Sequence, residues 1–300
     1  GIGSSALSAN TTANSNVAVG TCAMFVNTTG ANNTAIGTVA LAANTTASYN
    51  TAVGMRAMLN TTTGNKNVAV GTSTMQCNTT GSANTAVGGM DSNAFPTMFS
   101  NTTGSSNTAI GNSTLICNTT GGGNTAIGLG ALTANTTADN NTAVGKNSMV
   151  ANTEGHSNVA VGANALDANT TGDNNTAIGM DALTANTTAN QNTAVGDEAL
   201  KLNTTGDCNT AVGKGSLDTN TEGTRNIAVG GEALGANTTA SFNNALGYKA
   251  LCSNTTGASN ISIGTCSMRI NTTGANNVAV GDKALCANTT ASNNTAVGNA

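Results

Sequence analysis

The stretch "GLGALTANTTADNNTAV", residues 128–144, contains the pattern from which the whole chain is built. The next residue, a glycine, begins the same pattern again. Glycines in this place recur eighteen times from Gly3 to Gly298, and sixteen of the seventeen intervals are 17 residues long. The exception, from Gly88 to Gly111, is 23 residues long. The chain therefore consists of seventeen copies of one unit with one six-residue insertion, and we number each unit 1 to 17 from its glycine.

Several positions of the unit hardly vary. Position 5 is always Leu or Met, position 14 is always Asn, and position 8 is Asn except at Thr61. Position 16 is Ala except at Ser262, and position 17 is Val, Ile or Leu. Outside the insertion, every charged residue falls at position 2, 3, 6, 10, 12 or 13. Because unpaired charges are rarely buried, these six positions are expected to face solvent and the nearly invariable ones the interior.

A 17-residue unit is too short for a helical-hairpin repeat but fits one turn of a β-solenoid. Positions 14 to 17, for example residues 141–144, are typical of a short strand, and Asn-Thr-Thr-Gly suits a turn. We predict an all-β fold, a parallel β-solenoid (β-roll) with one 17-residue unit per turn and about 17 rungs. Positions 4 to 6 are expected to form a second short strand, with positions 5 and 17 inside. One continuous array is expected over residues 1–300, as an excerpt of a longer fibre, with an insertion loop at residues 89–97.

The alanine column at position 16 gives a prediction about association. Side chains alternate along a strand, so an inward position 17 would place the alanines outside. An exposed position should vary as positions 2 and 3 do, and this one does not. Something is therefore expected to pack on the alanine column: a second chain, by self-association, or else a neighbouring part of the same coil. The asparagines at position 14 either form a rung-to-rung amide ladder or bond their own backbone at a turn.

The strings "SNVAVG" at residues 15–20 and 157–162, and "NVAVG" at residues 277–281, resemble the head repeat of trimeric autotransporter adhesins. This YadA-like head has relatives in other bacterial and viral fibre proteins. The resemblance covers position 14 to the next glycine of every unit. It implies a left-handed parallel β-roll, association of three chains, and a location outside the cell or on a cell or virion surface. The family's repeats are shorter than 17 residues, and Asn-Thr-Thr-Gly is not part of their core string.

Composition excludes several functional classes. Charged residues make up 7% of the chain and the net charge is −4, which weighs against nucleic-acid binding. No apolar run reaches membrane-spanning length. His156, the single histidine, has no Cys or carboxylate at metal-ligand spacing, so we expect no enzyme activity, cofactor or metal. Two pairs of cysteines that share a column, Cys77 with Cys117 and Cys252 with Cys286, lie two rungs apart, about 9.6 Å, which is too far for an intrachain disulfide.

The Asn-Thr-Thr turns also contain glycosylation sequons in fifteen units. Glu154 and Glu222 replace the second Thr in the other two units and leave the rest of the turn unchanged, which indicates that the turn is the first role of these residues. A regular row of covalent glycans is the second role that the pattern predicts. The candidate acceptors are Asn10, Asn27, Asn44, Asn60, Asn78, Asn101, Asn118, Asn135, Asn169, Asn186, Asn203, Asn237, Asn254, Asn271 and Asn288.

The insertion contains the only proline of the chain and two of its four phenylalanines. It is either a contact loop formed by Phe95, Pro96 and Phe99 or a tolerated surface insertion. The leading functional hypothesis is a structural subunit of an extracellular or surface fibre, with glycans at its turns. One alternative is an adhesin that binds host cells or glycans through a flat face or the inserted loop. Another is an ice-binding solenoid, because Thr recurs at rung spacing.

Overall fold

The computed structural model describes residues 1–89 and 95–299. It divides into two compact units, each built from many 17-residue repeats. We call Gly1–Glu154 the first unit and Gly155–Ala300 the second unit. Each unit is a parallel β-solenoid with one three-residue strand per turn, and no helix occurs in the described residues. The predicted fold class and the 17-residue turn are therefore confirmed.

The strands of each unit follow the 17-residue period. The first unit contains β1 (Val17–Val19), β2 (Thr34–Ile36), β3 (Thr51–Val53), β4 (Val68–Val70), β5 (Thr85–Val87), β6 (Thr108–Ile110), β7 (Thr125–Ile127) and β8 (Thr142–Val144). The second contains β9 (Val159–Val161), β10 (Thr176–Ile178), β11 (Thr193–Val195), β12 (Thr210–Val212), β13 (Ile227–Val229), β14 (Asn244–Leu246), β15 (Ile261–Ile263), β16 (Val278–Val280) and β17 (Thr295–Val297). Within each unit consecutive strands are parallel and in register, so that Thr34 pairs with Thr51.

The turns between the strands are also bonded from rung to rung. The Met24 amide donates to the Ala40 carbonyl at 3.0 Å, and the Thr28 amide donates to the Thr45 carbonyl at 3.0 Å. Backbone groups in the interior must be paired, and the next rung supplies the partners outside the strands as well as within them.

The second strand predicted at positions 4 to 6 does not form. Positions 3, 5 and 13 adopt left-handed backbone conformations in every rung except at Pro96, as Leu132 does at position 5 with φ 53°. A left-handed residue cannot continue a strand, so this side of the coil is a series of bends. β-Branched side chains are especially unfavourable in this region, which explains why position 5 is Leu or Met and never Val or Ile. Val39, at position 3 with φ 52°, is the one β-branched residue in these three columns.

The position 5 column forms the centre of the apolar core, as predicted. Leu41, Met98 and Leu183 have no exposed surface. Small side chains at position 4 and the alanines at position 16 complete the apolar interior. Burial of each aliphatic side chain stabilises the coil by about 1.5–3 kcal/mol before entropy is subtracted, so stability depends on repetition.

The prediction for positions 16 and 17 is wrong. Ala126 is 0% exposed, whereas Ile127 beside it is 36% exposed. The hydroxyls of Ser262 and Ser267 are in contact, which shows that position 16 faces position 4 across the glycine bend. Positions 16 and 4 are so close to each other that each has room only for a small side chain. A neighbouring part of the same coil therefore packs on the alanine column, and association of chains through that column is contradicted.

The glycine at position 1 makes this sharp bend possible. Gly162 has φ +140°, and a Cβ atom there would lie 2.3 Å from the carbonyl oxygen of Gly179 in the next rung. A side chain at position 1 would therefore be excluded twice, by its backbone conformation and by the neighbouring rung.

The rungs on either side of the insertion remain stacked. Thr85 pairs with Thr108 in the same register as other rungs, and the Met98 amide donates to the Thr114 carbonyl at 2.9 Å. Residues 90–94 of the predicted loop lie outside the described residues. Phe95 is 68% exposed, as expected, but Pro96 is buried rather than at the surface. Pro96 takes position 3 of its rung, a position that is also buried at Ser73 in the preceding rung.

Candidate interaction face

The outward face of the strands is the most regular surface of the chain. Because position 16 points inward, positions 15 and 17 point outward on either side of it. We call these two columns the outward face. At about 4.8 Å per strand it extends roughly 34 Å over β1–β8 in the first unit and roughly 38 Å over β9–β17 in the second.

The outward face is free of charge. Its position 17 column is aliphatic, and Ile36, Ile110 and Ile178 are 41%, 39% and 40% exposed. Its position 15 column is mostly Thr, and no strand contains a charged residue. An apolar stripe therefore runs beside a row of hydroxyls and methyls, in contrast to the charged surface at positions 2, 3 and 6. Extended apolar surfaces of this kind mark sites of interaction.

The composition of this face changes within the second unit. From β13 to β16 the position 15 residues are Ile227, Asn244, Ile261 and Val278 instead of Thr. A shallow cavity of about 270 Å³ opens here between the side chains of β13, β14 and β15. The face of these strands is therefore aliphatic at both outward positions except at Asn244.

The turn asparagines at position 8 form a ladder inside the coil. The Asn27 Nδ2 donates to Asn10 Oδ1 at 3.1 Å and to the Gly30 carbonyl at 3.0 Å. The position 14 asparagines form a second ladder: the Asn33 backbone N–H donates to the side-chain Oδ1 of Asn16 in the preceding rung at 2.9 Å. Of the two alternatives for position 14, the rung-to-rung ladder is therefore confirmed.

This geometry weighs against the predicted row of glycans. Twelve of the fifteen candidate asparagines are 0% exposed, among them Asn118 and Asn203. A glycan would be attached to the Nδ2 atom that here donates inside the coil, so a sugar and the closed turn exclude each other. Three candidates differ: Asn60 is exposed at position 7, and Asn10 and Asn288 are partly exposed.

The two threonines of the turn have different roles. At position 9 the hydroxyl donates to the next rung, as Thr28 Oγ1 does to the Thr45 carbonyl at 3.0 Å. At position 10 the side chain is exposed, and Glu154 and Glu222 are exposed in the same place. The turn therefore depends on the Asn and the first Thr, and position 10 accepts Glu because the side chain points into solvent.

Charged side chains pair along the surface of the second unit. Lys201 bonds Glu198 at 2.7 Å and Lys214 bonds Asp197 at 3.0 Å. The bond to Glu198 raises the pKa of Lys201, whereas burial raises the pKa of Asp218. In the described residues no group of three or more His, Cys, Asp or Glu is placed to hold a metal ion.

The remaining candidates from the sequence do not converge on one site. His156 is exposed, and all seven cysteines are free thiols. Phe95 and Phe99 lie on the turn surface beside the insertion, away from the outward face. Within residues 1–89 and 95–299 there is no helix with the length and apolar character needed to cross a bilayer.

The distribution of charged residues along the repeat does not reveal the outward face. Charged residues are absent from positions 15 and 17 as they are from the interior, so the charge map could not separate the two. Variation at position 15 was the available signal. That column accepts Thr, Val, Ile and Asn244, whereas position 16 accepts only Ala and Ser262.

Comparison of the chain with protein-family models, with curated proteins and with solved structures gives no match. The resemblance to YadA-like head repeats therefore rests on the residues of this chain.

Proposed function

We propose that the chain is a structural subunit of a fibre outside the cell or on a cell or virion surface, in which copies associate through the outward face. The observation that supports this most is the aliphatic, charge-free column at position 17. Parallel sheets usually have both faces covered, and within one chain only the inner face is covered here. A second copy of the same face is a suitable cover because its rungs have the same spacing.

Repetition favours this association further. Each exposed Val or Ile contributes about 25 cal/mol for every Å² of apolar surface removed from water. One such contact is weak, but two copies in register repeat it at every rung. The resemblance to YadA-like heads favours three chains. The alanine column takes no part, since it lies inside each coil.

The test places charges on this face. We expect sedimentation to show an oligomer for the unmodified chain and a monomer for Ile110→Lys/Ile127→Lys. The matched control is Thr103→Lys/Thr120→Lys, which puts the same charges in the same rungs at exposed position 10 and should leave the oligomer intact. A monomeric unmodified chain at high concentration would refute the proposal.

A second candidate, ice binding, is favoured by the outward threonines. Thr108, Thr125 and Thr142 point outward from consecutive strands beside the aliphatic column. A flat row of hydroxyls and methyls at rung spacing provides regularly spaced contacts for a layer of ordered water molecules. Thermal hysteresis that is present in the unmodified chain and lost in Thr125→Lys would support this function. Ice growth that the unmodified chain leaves unchanged would exclude it.

A further inference from the structure

Three successive rungs beside the insertion line an open groove in the first unit. Its volume is about 300 Å³, near the lower limit for small-molecule sites. The lining residues are Arg56, Ser73, Gln76, Phe95, Pro96 and Phe99.

Pro96 makes this rung different from its neighbours. In the neighbouring rungs position 3 is left-handed, with φ 58° at both Ser73 and Ser113. A proline cannot adopt that conformation because its ring fixes φ at a negative value. Phe95 is held next to it: its carbonyl accepts from the Ser113 amide at 2.9 Å, and its amide donates to Ser113 Oγ at 3.2 Å. The Phe95 backbone is therefore fixed to the next rung, and its side chain is exposed.

The lining of the groove combines an apolar surface with a cation. Phe95 and Phe99 supply most of the apolar part, since Pro96 beside them is largely buried. The Arg56 guanidinium forms no ion pair with any residue in the described part of the chain, where the three ion pairs all involve lysine. A guanidinium recognises a carboxylate through two parallel hydrogen bonds. The groove therefore fits a small anion that also has an apolar face.

A peptide suits the groove poorly. Extended peptides bind through main-chain pairing with a free strand edge. The amides that border this groove are already bonded, Ser73 to the Met55 carbonyl at 2.8 Å and Cys77 to the Phe99 carbonyl at 3.1 Å. A sugar ring needs no such edge, because the C–H face of a pyranose packs on an aromatic ring. We propose that this groove binds an acidic sugar of the hexuronate type, with its carboxylate on Arg56 and its ring on Phe95.

The experiment is titration calorimetry of the full chain with glucuronate, and with glucose as the uncharged probe. We expect saturable binding of glucuronate and at least tenfold weaker binding of glucose. Arg56→Gln and Phe95→Ala should each weaken glucuronate binding at least tenfold. Two matched controls should bind as the unmodified chain does. Phe25→Ala removes an exposed ring from a regular rung, and Phe242→Ala removes a ring that lies 5.6 Å from Arg225.

Far-UV circular dichroism must show the same β content in all variants, which is expected because Phe95 is largely exposed and Arg56 is a surface residue. The proposal is overturned by absence of saturable binding, by equal binding of glucose and glucuronate, or by an equal loss in the control variants.

Discussion

Among single residues, Thr61 shows what the inner asparagine ladder contributes. Asn118 Nδ2 reaches Asn101 Oδ1 at 2.8 Å in a regular rung, but Asn78 Nδ2 reaches Thr61 Oγ1 only at 3.4 Å. On the other side of Thr61, the buried Asn44 Oδ1 has no hydrogen-bond partner within the described residues. A buried acceptor without a partner costs about 1–3 kcal/mol. The one break in the ladder is therefore a local weakness of the first unit.

We expect Thr61→Asn to raise the free energy of unfolding by about 1–3 kcal/mol, because the new Nδ2 can donate to Asn44 Oδ1. Urea denaturation measures the change. Thr63→Asn is the matched control, since Thr63 is exposed and should give no gain. An equal gain in both variants would show that the ladder is not its source.

Val39 is a second weak residue. Its left-handed backbone, φ 52°, is strained for a β-branched side chain, whereas Asn147 occupies the same position with φ 56° at little cost. We expect Val39→Asn to stabilise the chain by about 1 kcal/mol and to raise the thermal midpoint. Val26→Asn is the control, because Val26 is not left-handed. A gain at Val26 as large as that at Val39 would contradict the strain argument.

At the scale of the strand, the repeat predicted the strand at positions 15 to 17 but not which way it faces, and it wrongly predicted a second strand at positions 4 to 6. A strand of three residues has only two possible orientations, and a shift of one residue reverses every side chain. The orientation of the strand depends on the narrow space between position 16 and position 4. The glycine bend between two consecutive repeats sets this space, so the sequence of a single repeat does not show it. Asn at position 8 was equally ambiguous, since a turn residue and a ladder residue look the same in sequence. Position 5 was predictable because its large side chains need the interior.

Neighbouring residues of β7 test the orientation. Ala126→Lys places a charge where there is room only for a methyl, so we expect loss of β-structure in the far-UV circular dichroism spectrum. Ile127→Lys adds the same charge on the outward face and should keep that spectrum. Retention of structure in Ala126→Lys with loss in Ile127→Lys would mean that the strand faces the other way.

The insertion should be dispensable for the coil. Deletion of residues 89–94 restores the 17-residue spacing, and the flanking strands are already paired in register. Loop-closure entropy changes slowly with length, so the free energy of unfolding is expected to change by less than about 1 kcal/mol. Urea denaturation of the deletion variant provides the measurement. Unfolding of the variant would place the inserted residues in the core.

At the scale of the whole molecule, the two units share one construction rule. Within each unit, contacts between strands join only consecutive strands. Stability in such arrays is approximately a sum over rungs and over the interfaces between neighbouring rungs. Contacts between neighbouring rungs close the core of each compact unit. Each unit therefore contains the contacts that its own rungs need.

Residues 1–154 expressed alone are therefore expected to fold. Their circular dichroism per residue should match that of the full chain, because each interior rung keeps both neighbours. The urea m-value should be about half that of the full chain, since it scales with the surface exposed on unfolding. Residues 155–300 form the matched fragment and should behave in the same way. If both fragments are unfolded while the full chain is folded, stability does not add rung by rung, and contacts beyond neighbouring rungs must hold the coil together.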